Sequence, residues 1–153
     1  EAIAAGVAAT RWPGRAELLP GDPPILLDVA HNVEGAQAIA ATVLALFGSR
    51  PVAVVAAFSR DKEHGSILRA LGPCAARFVL TEFAGERATP AGELVPHAPA
   101  RRPEALAVRA TAEALALARE WARANGGAIL VTGSFFLIGE VLAHLHREMP
   151  RAL

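Results

Sequence analysis

Three short apolar runs, each followed by a polar turn and then by a helical pattern, most constrain how this chain folds. The runs cover residues 24–27, 51–58 and 128–131, and the strand predicted from the first of them covers 25–29. Runs this short and this continuously apolar are typical of strands that are buried on both faces of a parallel sheet. Because strands alternate with helices along the chain, we predict an α/β domain with a mostly parallel sheet flanked by helices and joined by right-handed crossovers.

The remaining segments extend this alternation. Gly48 and Asn125-Gly126-Gly127 are placed to stop the helices before them. Region 82–103 is polar and contains proline, and we expect a short helix at 91–95 there, with room for one short strand. The sequence leaves open whether a strand at 16–19 joins the sheet in an antiparallel direction. The other predicted elements are helices at 1–9, 34–47, 66–71, 104–124 and 134–147 and a strand at 77–81.

Charge balance and cysteine count narrow the functional classes. The chain has fifteen basic and fifteen acidic residues, so no net field attracts nucleic acid or an anionic membrane, and we expect neither as a partner. No apolar stretch approaches the ~20 residues that span a bilayer, and the first residues lack the basic start of a signal peptide. The single cysteine, Cys74, excludes an internal disulfide and fits a reducing cytoplasm.

Polar side chains follow the three apolar runs at the point where each predicted strand ends. They lie in residues 28–32, in Asp61-Lys62 and in Thr132-Gly133-Ser134. The carboxyl ends of parallel strands meet at one edge of a sheet, which is where open α/β sheets bind ligands. We therefore expect these three turns to lie together at one site, although about a hundred residues separate the first from the last.

The first turn offers a carboxylate, an imidazole and an amide. Asp28 is suited to reach Mg²⁺ through bound solvent, to accept a hydrogen bond from a ribose hydroxyl or to orient His31, but it equally suits a helix cap. His31 is either a substrate ligand or a structural histidine. The helix that follows is expected to begin at Asn32 or Glu34.

The other two turns suit an anionic ligand. Lys62 is the only lysine in the chain, and its ammonium is either a ligand for an anion or a solvated loop charge. Gly133 and Ser134 at a helix start leave backbone N–H groups open to a carboxylate or phosphate, although Ser134 also suits an ordinary helix cap. The sequence alone leaves these alternatives open.

Several common catalytic and metal motifs are missing. The sequence contains neither a Gly-x-Gly-x-x-Gly motif nor a P-loop, and Gly133-Ser134-Phe135-Phe136 is not the nucleophile elbow of a hydrolase. Cys74 has no base nearby in the sequence and is expected to be a buried, inert thiol. His97, His144 and His146 lack a metal-ligand spacing with acidic or cysteine partners.

Five motifs, in their order along the chain, resemble those of the C-terminal domain of folylpolyglutamate synthase/dihydrofolate synthase, in the Mur ligase superfamily. They are Trp12-Pro13-Gly14-Arg15-Ala16-Glu17, Leu27-Asp28-Val29-Ala30-His31-Asn32, Asp61-Lys62-Glu63, Arg87-Ala88 and Val131-Thr132-Gly133-Ser134-Phe135. The family's usual loops read Asp-Gly-Ala-His-Asn-Pro and Asp-Lys-Asp, whereas this chain has Val29, Val33 and Glu63 at the glycine, the proline and the last aspartate.

The resemblance implies a Rossmann-like, doubly wound domain of the Mur ligase C-terminal type over residues 1–153. It also implies that the full enzyme uses ATP to phosphorylate a carboxylate of a dihydropteroate or folate, after which the amine of L-glutamate attacks the acyl phosphate. The P-loop and the Mg²⁺ ligands are expected in an N-terminal ATPase domain that this chain does not include. The isolated domain is therefore expected to be inactive.

The resemblance also implies roles for five residues. Arg15 and Asp28 would contact ATP, Arg15 by offering a guanidinium fork to phosphate. His31 and Ser134 would hold the incoming glutamate, and Lys62 would offer charge to one of its carboxylates. No residue is assigned to catalysis or to a metal. Two alternatives remain: another amino-acid ligase of the superfamily, or a free-standing, non-catalytic module that binds a nucleotide or an amino acid.

Overall fold

The computed structural model describes residues 12–99 and 104–148, so the helix predicted at 1–9 lies outside the described residues. The elements are β1 (Glu17–Leu19), β2 (Ile25–Leu27), α1 (Val33–Phe47), β3 (Val52–Ala56), α2 (His64–Leu71), β4 (Arg77–Leu80), α3 (Ala91–Leu94), β5 (Glu104–Ala107), α4 (Thr111–Ala124), β6 (Ala128–Thr132) and α5 (Phe135–Glu148). In the described part of the chain, no helix combines the length and the apolarity needed to cross a bilayer.

The six strands form one sheet in the order β1-β2-β6-β3-β4-β5. Strand β1 pairs antiparallel with β2, and every other neighbouring pair is parallel. Val131 of β6 lies beside Leu27 of β2 and Val55 of β3, so these three strands end at nearly the same level. The mostly parallel sheet is confirmed, and the segment after residue 16 is its antiparallel edge strand.

Different helices cover the two faces of the sheet. Side chains alternate along a strand, so Leu130 belongs to the hydrophobic core on one face and Val131 to the core on the other. Helices α1 and α2, with Leu94 of α3, pack on the side of Leu130, whereas α4 and α5 pack on the side of Val131. The sheet is therefore doubly wound, as the resemblance implied.

The chemistry of the helix ends confirms where α1 begins and ends. Asn32 precedes the helix, and its Oδ1 accepts a hydrogen bond from the backbone N–H of Gly35 at 2.9 Å. Gly48 ends the helix with a φ of 57°, a conformation that side chains disfavour. Asp28 does not cap this helix, so the capping alternative for Asp28 is wrong.

The single helix predicted at 104–124 is wrong in its first part. Residues Glu104–Ala107 form β5, which pairs in parallel with β4 from Arg77 opposite Glu104 to Leu80 opposite Ala107. Alanine and leucine favour a helix locally, but pairing with β4 and an ion pair between Arg77 and Glu104 favour the strand. Helix α4 begins only at Thr111. The sequence left room for one short strand within region 82–103, and the strand found, β5, begins at Glu104, directly after that region.

Candidate functional site

A crevice opens at the carboxyl end of β6. This strand lies between β2 and β3, whose following helices α1 and α2 cover one face of the sheet, whereas α5, which follows β6, covers the other. Loops that leave neighbouring strands toward opposite faces create the crevice in which α/β sheets bind ligands. We call the space here the strand-end cavity. It has a volume of about 220 Å³ and is lined by His31, Ser59, Lys62, Arg87, Gly133, Ser134, Phe135 and Phe136.

The strand-end cavity brings together the three residues predicted to bind glutamate. His31 comes from the loop after β2, Lys62 from the loop after β3 and Ser134 from the turn after β6. The expectation that the three polar turns lie at one edge of the sheet is therefore confirmed. The hydroxyl of Thr132 also donates to the carbonyl oxygen of Ala30 at 3.4 Å, which links the end of β6 to the loop of His31.

The imidazole of His31 is held in place by a hydrogen bond to its own loop. The Nδ1 atom lies 2.9 Å from the carbonyl oxygen of Val29. A carbonyl oxygen only accepts, so Nδ1 carries the hydrogen, and Nε2 of the neutral ring keeps its lone pair. Among the described residues, Nε2 has no hydrogen-bond partner. The half-buried ring also lies against the exposed ring of Phe135, with 6.0 Å between the ring centroids.

The Gly133-Ser134 turn is fixed by close packing. A Cβ on Gly133 would lie 2.5 Å from the carbonyl oxygen of Ala57, and the φ of Gly133 is 109°, so only glycine fits there. The buried Ser134 accepts a hydrogen bond at Oγ from the backbone N–H of Phe136 at 3.1 Å. Ser134 therefore caps α5, while its hydroxyl hydrogen is left for another acceptor.

Lys62 pairs with its neighbour in sequence. Its Nζ lies 3.0 Å from Oδ2 of Asp61, and its side chain is 30% exposed. The hydrogen bond from Lys62 is the main cause that lowers the pKa of Asp61 below its ordinary value. Because the Lys62 side chain is partly buried at the cavity wall, it is not a fully solvated loop charge. Asp61 neutralises part of its positive charge.

The two residues predicted to contact ATP lie beside the strand-end cavity and are linked to each other. The Asp28 carboxylate accepts the backbone N–H of Ala30 at Oδ1 and that of Ala16 at Oδ2, each at 2.8 Å. The second bond fastens the turn of Arg15 to the loop of His31. The exposed Arg15 places its Cζ 5.7 Å from the centroid of the Phe135 ring, the ring that also contacts His31.

Sequence reasoning missed Arg87 and the two phenylalanines as cavity residues. Arg87 lies beyond β4, and an antiparallel bridge between Ser59 and Ala88 brings it to the cavity. Helical or strand periodicity does not report a contact between residues this far apart in the sequence. The only sequence signal was that Arg87 and Phe135 stand within motifs of the resemblance, which gave neither of them a role.

The residues described here do not fit a metal ion. No group of three or more histidine, cysteine, aspartate or glutamate side chains in this part of the chain is placed to hold one. Cys74 is buried, its Sγ donates to the carbonyl oxygen of Leu71, and burial raises the pKa of the thiol to about 11. The thiol is therefore protonated at neutral pH and poorly suited to act as a nucleophile or a metal ligand.

Known proteins that are similar in sequence and in structure belong to the family that the motifs resemble. A family model described as "Mur ligase, glutamate ligase domain" matches residues 14–135. The dihydrofolate synthase/folylpolyglutamate synthase of Bacillus subtilis is 34% identical over 94 residues, which are 61% of this chain and 22% of that protein. The chain thus spans well under half of the length of this relative.

Two solved structures share the fold. A Mycobacterium tuberculosis folylpolyglutamate synthase complexed with ADP and AMPPCP superimposes with a TM-score of 0.88 and 28% identity, over 97% of this chain and 36% of that one. A bifunctional folylpolyglutamate synthase/dihydrofolate synthase with Mn, AMPPNP and L-glutamate bound gives a TM-score of 0.78 and 27% identity, over 90% of this chain and 32% of that one.

Proposed function

Because this chain belongs to the Mur ligase family, as a glutamate ligase domain, we propose that the polypeptide containing it is an ATP-dependent ligase that adds L-glutamate to dihydropteroate, to reduced folates or to both. One observation carries the proposal: the loops after three parallel strands place His31, Lys62 and Ser134 around a single small cavity. Its volume of about 220 Å³ lies below the roughly 300–1,000 Å³ of sites for drug-sized ligands, so it suits a molecule the size of an amino acid.

In this ligase, residues 1–153 form one C-terminal domain, and an ATPase domain of the same polypeptide lies N-terminal to it. The similarity of the chain to about a third of two larger ligases, with ADP and AMPPCP or with AMPPNP bound, supports this division. The exposed rings of Phe135 and Phe136 at the cavity give the ATPase domain an apolar surface to close upon. The cytoplasm is the proposed location.

The reaction joins an amine to an activated carboxylate. The acceptor carboxylate takes the γ-phosphoryl group of ATP and ADP is released. The deprotonated amine of glutamate then attacks the acyl carbon, and phosphate leaves as the nitrogen loses a further proton and the amide forms. Mg²⁺, with its ligands in the ATPase domain, neutralises phosphate charge when it is bound. The cleft between the domains orients both reactants and keeps water from the acyl phosphate.

The strand-end cavity holds the incoming amino acid. Lys62 Nζ and the Ser134 hydroxyl donate to a carboxylate, and these charge-assisted hydrogen bonds are stronger than neutral ones. The lone pair on Nε2 of neutral His31 accepts a hydrogen bond from the amine. The positive end of the α5 helix dipole also faces a carboxylate in this position.

Arg15 and Asp28 contact ATP. The guanidinium of Arg15 is exposed at the cavity rim and fits the oxygens of a phosphate. Asp28 holds the turn that presents Arg15, through the backbone N–H of Ala16, and its carboxylate keeps further acceptor positions for a ribose hydroxyl or bound solvent.

ATP-dependent amide formation by the complete polypeptide tests the proposal. L-glutamate is supplied with dihydropteroate in one reaction and with a reduced folate in another. A product from dihydropteroate identifies a dihydrofolate synthase, and a product from reduced folate identifies a polyglutamylating enzyme. Amide formation only with other amino acids or carboxylates would refute the proposal and assign the chain to another ligase of the superfamily. Failure to form any amide would leave a non-catalytic binding module.

A further inference from the structure

The strand-end cavity has a second cationic side chain beside Lys62. Arg87 lines the same cavity, and none of the residues that line it is acidic. Within residues 12–99 and 104–148, the exposed guanidinium of Arg87 takes part in no ion pair. A charged group at the wall of a cavity, without a partner among the described residues, is placed to meet a charge on a ligand.

The backbone holds the loop of Arg87 against the loop of Lys62. The N–H of Arg60 donates to the carbonyl oxygen of Arg87 at 3.0 Å, and the N–H of Thr89 donates to the carbonyl oxygen of Phe58 at 2.9 Å. Ser59 and Ala88 form an isolated antiparallel bridge between these two bonds. The two cationic side chains are therefore carried by one paired unit of backbone.

A histidine outside the cavity fastens this pair of loops. Nε2 of His64 lies 3.0 Å from the carbonyl oxygen of Ser59 and 3.2 Å from Oγ1 of Thr89. The His64 ring also packs against Phe58, with 5.9 Å between the centroids. One side chain thus contacts both loops next to the positions that carry the charges.

Lys62 and Arg87 act on the same carboxylate next to the cavity. Asp61 is the carboxylate paired with Lys62, and its lowered pKa results first from the hydrogen bond of Lys62 and in smaller part from the positive charges of Lys62 and Arg87. Asp61 forms its ion pair with Lys62 alone. The cavity wall itself carries two cations and no carboxylate, and with the positive end of α5 it suits a ligand that has more than one carboxylate.

We propose that Arg87 is a specificity-determining residue that binds the second carboxylate of the incoming amino acid, so that Lys62 and Arg87 together select a dicarboxylic amino acid. This inference rests on the proposed function. The planar fork of arginine binds a carboxylate through two parallel hydrogen bonds, a geometry that lysine does not reproduce. An amino acid with a neutral amide in place of this carboxylate loses a charge-assisted hydrogen bond. We expect this loss to lower its affinity by about tenfold or more.

The test compares Arg87→Gln, Arg87→Lys and the charge-matched control Arg50→Gln in the complete polypeptide. Arg50 is exposed and lies just before β3, at the opposite edge of the sheet. Steady-state kinetics are measured with L-glutamate and with L-glutamine. We expect Arg87→Gln to raise the KM for L-glutamate at least tenfold and to reduce the preference for glutamate over glutamine, in kcat/KM, by a similar factor. The KM for ATP stays within twofold.

The other variants and the wild type decide between explanations. Arg87→Lys should keep part of the glutamate preference, and Arg50→Gln should keep all of it. An unchanged KM and preference in Arg87→Gln, in an enzyme whose wild type ligates glutamate, would overturn the role of Arg87 and leave the proposed function intact. Equal effects of Arg50→Gln and Arg87→Gln would overturn it too. A wild type that does not ligate glutamate would refute the proposed function and, with it, this inference.

Discussion

The Nδ1 atom of His31 donates its hydrogen to the carbonyl oxygen of Val29 across 2.9 Å. This bond turns the lone pair of Nε2 away from the loop and leaves it as an acceptor when the ring is neutral. An acceptor suits the amine of the incoming amino acid, which attacks only after losing a proton. A carboxylate would instead need a donor, and Lys62 and Ser134 in the same cavity supply donors.

Replacing His31 with alanine should therefore raise the glutamate requirement. We expect the KM for L-glutamate to rise about tenfold, the effect of losing one hydrogen bond of ~1.4 kcal/mol, while the KM for ATP changes little. Initial rates of the complete polypeptide, with one substrate varied at a time, give both constants. Unchanged glutamate dependence in His31→Ala would show that this residue does not hold the amino acid.

Replacing Asp28 should affect ATP more than glutamate. Asp28→Ala removes the acceptor of the Ala16 and Ala30 N–H groups, so the turn that presents Arg15 loses its attachment. We expect a weaker use of ATP, with a several-fold higher KM, and a smaller change in the KM for glutamate. Arg15→Ala is the companion variant, and it should reproduce the ATP effect without breaking either backbone bond. An Asp28→Ala enzyme with wild-type ATP kinetics would contradict this arrangement.

Gly133 should tolerate no side chain. In Gly133→Ala the new Cβ would meet the carbonyl oxygen of Ala57 at 2.5 Å, in a backbone conformation with a φ of 109°. Strain and overpacking each cost about 1–3 kcal/mol, so we expect the free energy of unfolding to fall by at least ~2 kcal/mol. Urea denaturation of this chain measures the change.

Gly139 in α5 is the matched control. Beyond the backbone of α5 itself, no atom lies within 4 Å of a Cβ added there, so Gly139→Ala should raise the free energy of unfolding by up to ~1 kcal/mol through helix propensity. If the two variants destabilised the chain equally, the close packing of Gly133 would not be the cause.

Glu82 should contribute to stability in a pH-dependent way. The backbone N–H of Ala91 and then the Arg109 side chain lower the pKa of Glu82 from its ordinary value of 4.5. A carboxylate whose pKa is depressed in the folded state stabilises the fold above its unfolded pKa and loses this contribution as the pH falls through the folded value.

Glu82→Gln should therefore destabilise the chain at pH 7 and approach the stability of the wild type as the pH falls below 4.5. Urea denaturation at a series of pH values measures both proteins, and Glu86→Gln, at a nearby exposed carboxylate, is the control for a general loss of charge. A stability difference that stays constant from pH 7 to pH 3 would show that ionisation of Glu82 is not its source.

The sequence predicted the parts of the site that depend on local chemistry. Apolar runs located β2, β3 and β6, and the turns at their ends gave His31, Lys62 and Ser134. These predictions succeeded because burial on both faces leaves a continuous apolar pattern, and because the carboxyl ends of parallel strands share one edge of the sheet.

Features that depend on distant contacts were not predictable in this way. Residues Glu104–Ala107 have a helix-forming composition, and only pairing with β4 makes them a strand. Arg87 reaches the cavity because the loop after β4 pairs with the loop after β3, a contact that leaves no periodic pattern in the sequence. Asp28 was assigned to a ligand, and its bonds to two backbone N–H groups appear only in three dimensions.

A crystal structure of the complete polypeptide with a non-hydrolysable ATP analogue and L-glutamate would show which residues hold the amino acid. We expect glutamate in the strand-end cavity, with its amine within hydrogen-bond distance of His31 Nε2 and a carboxylate on Lys62 and Ser134. Glutamate bound elsewhere, with His31, Lys62 and Ser134 facing solvent, would contradict it.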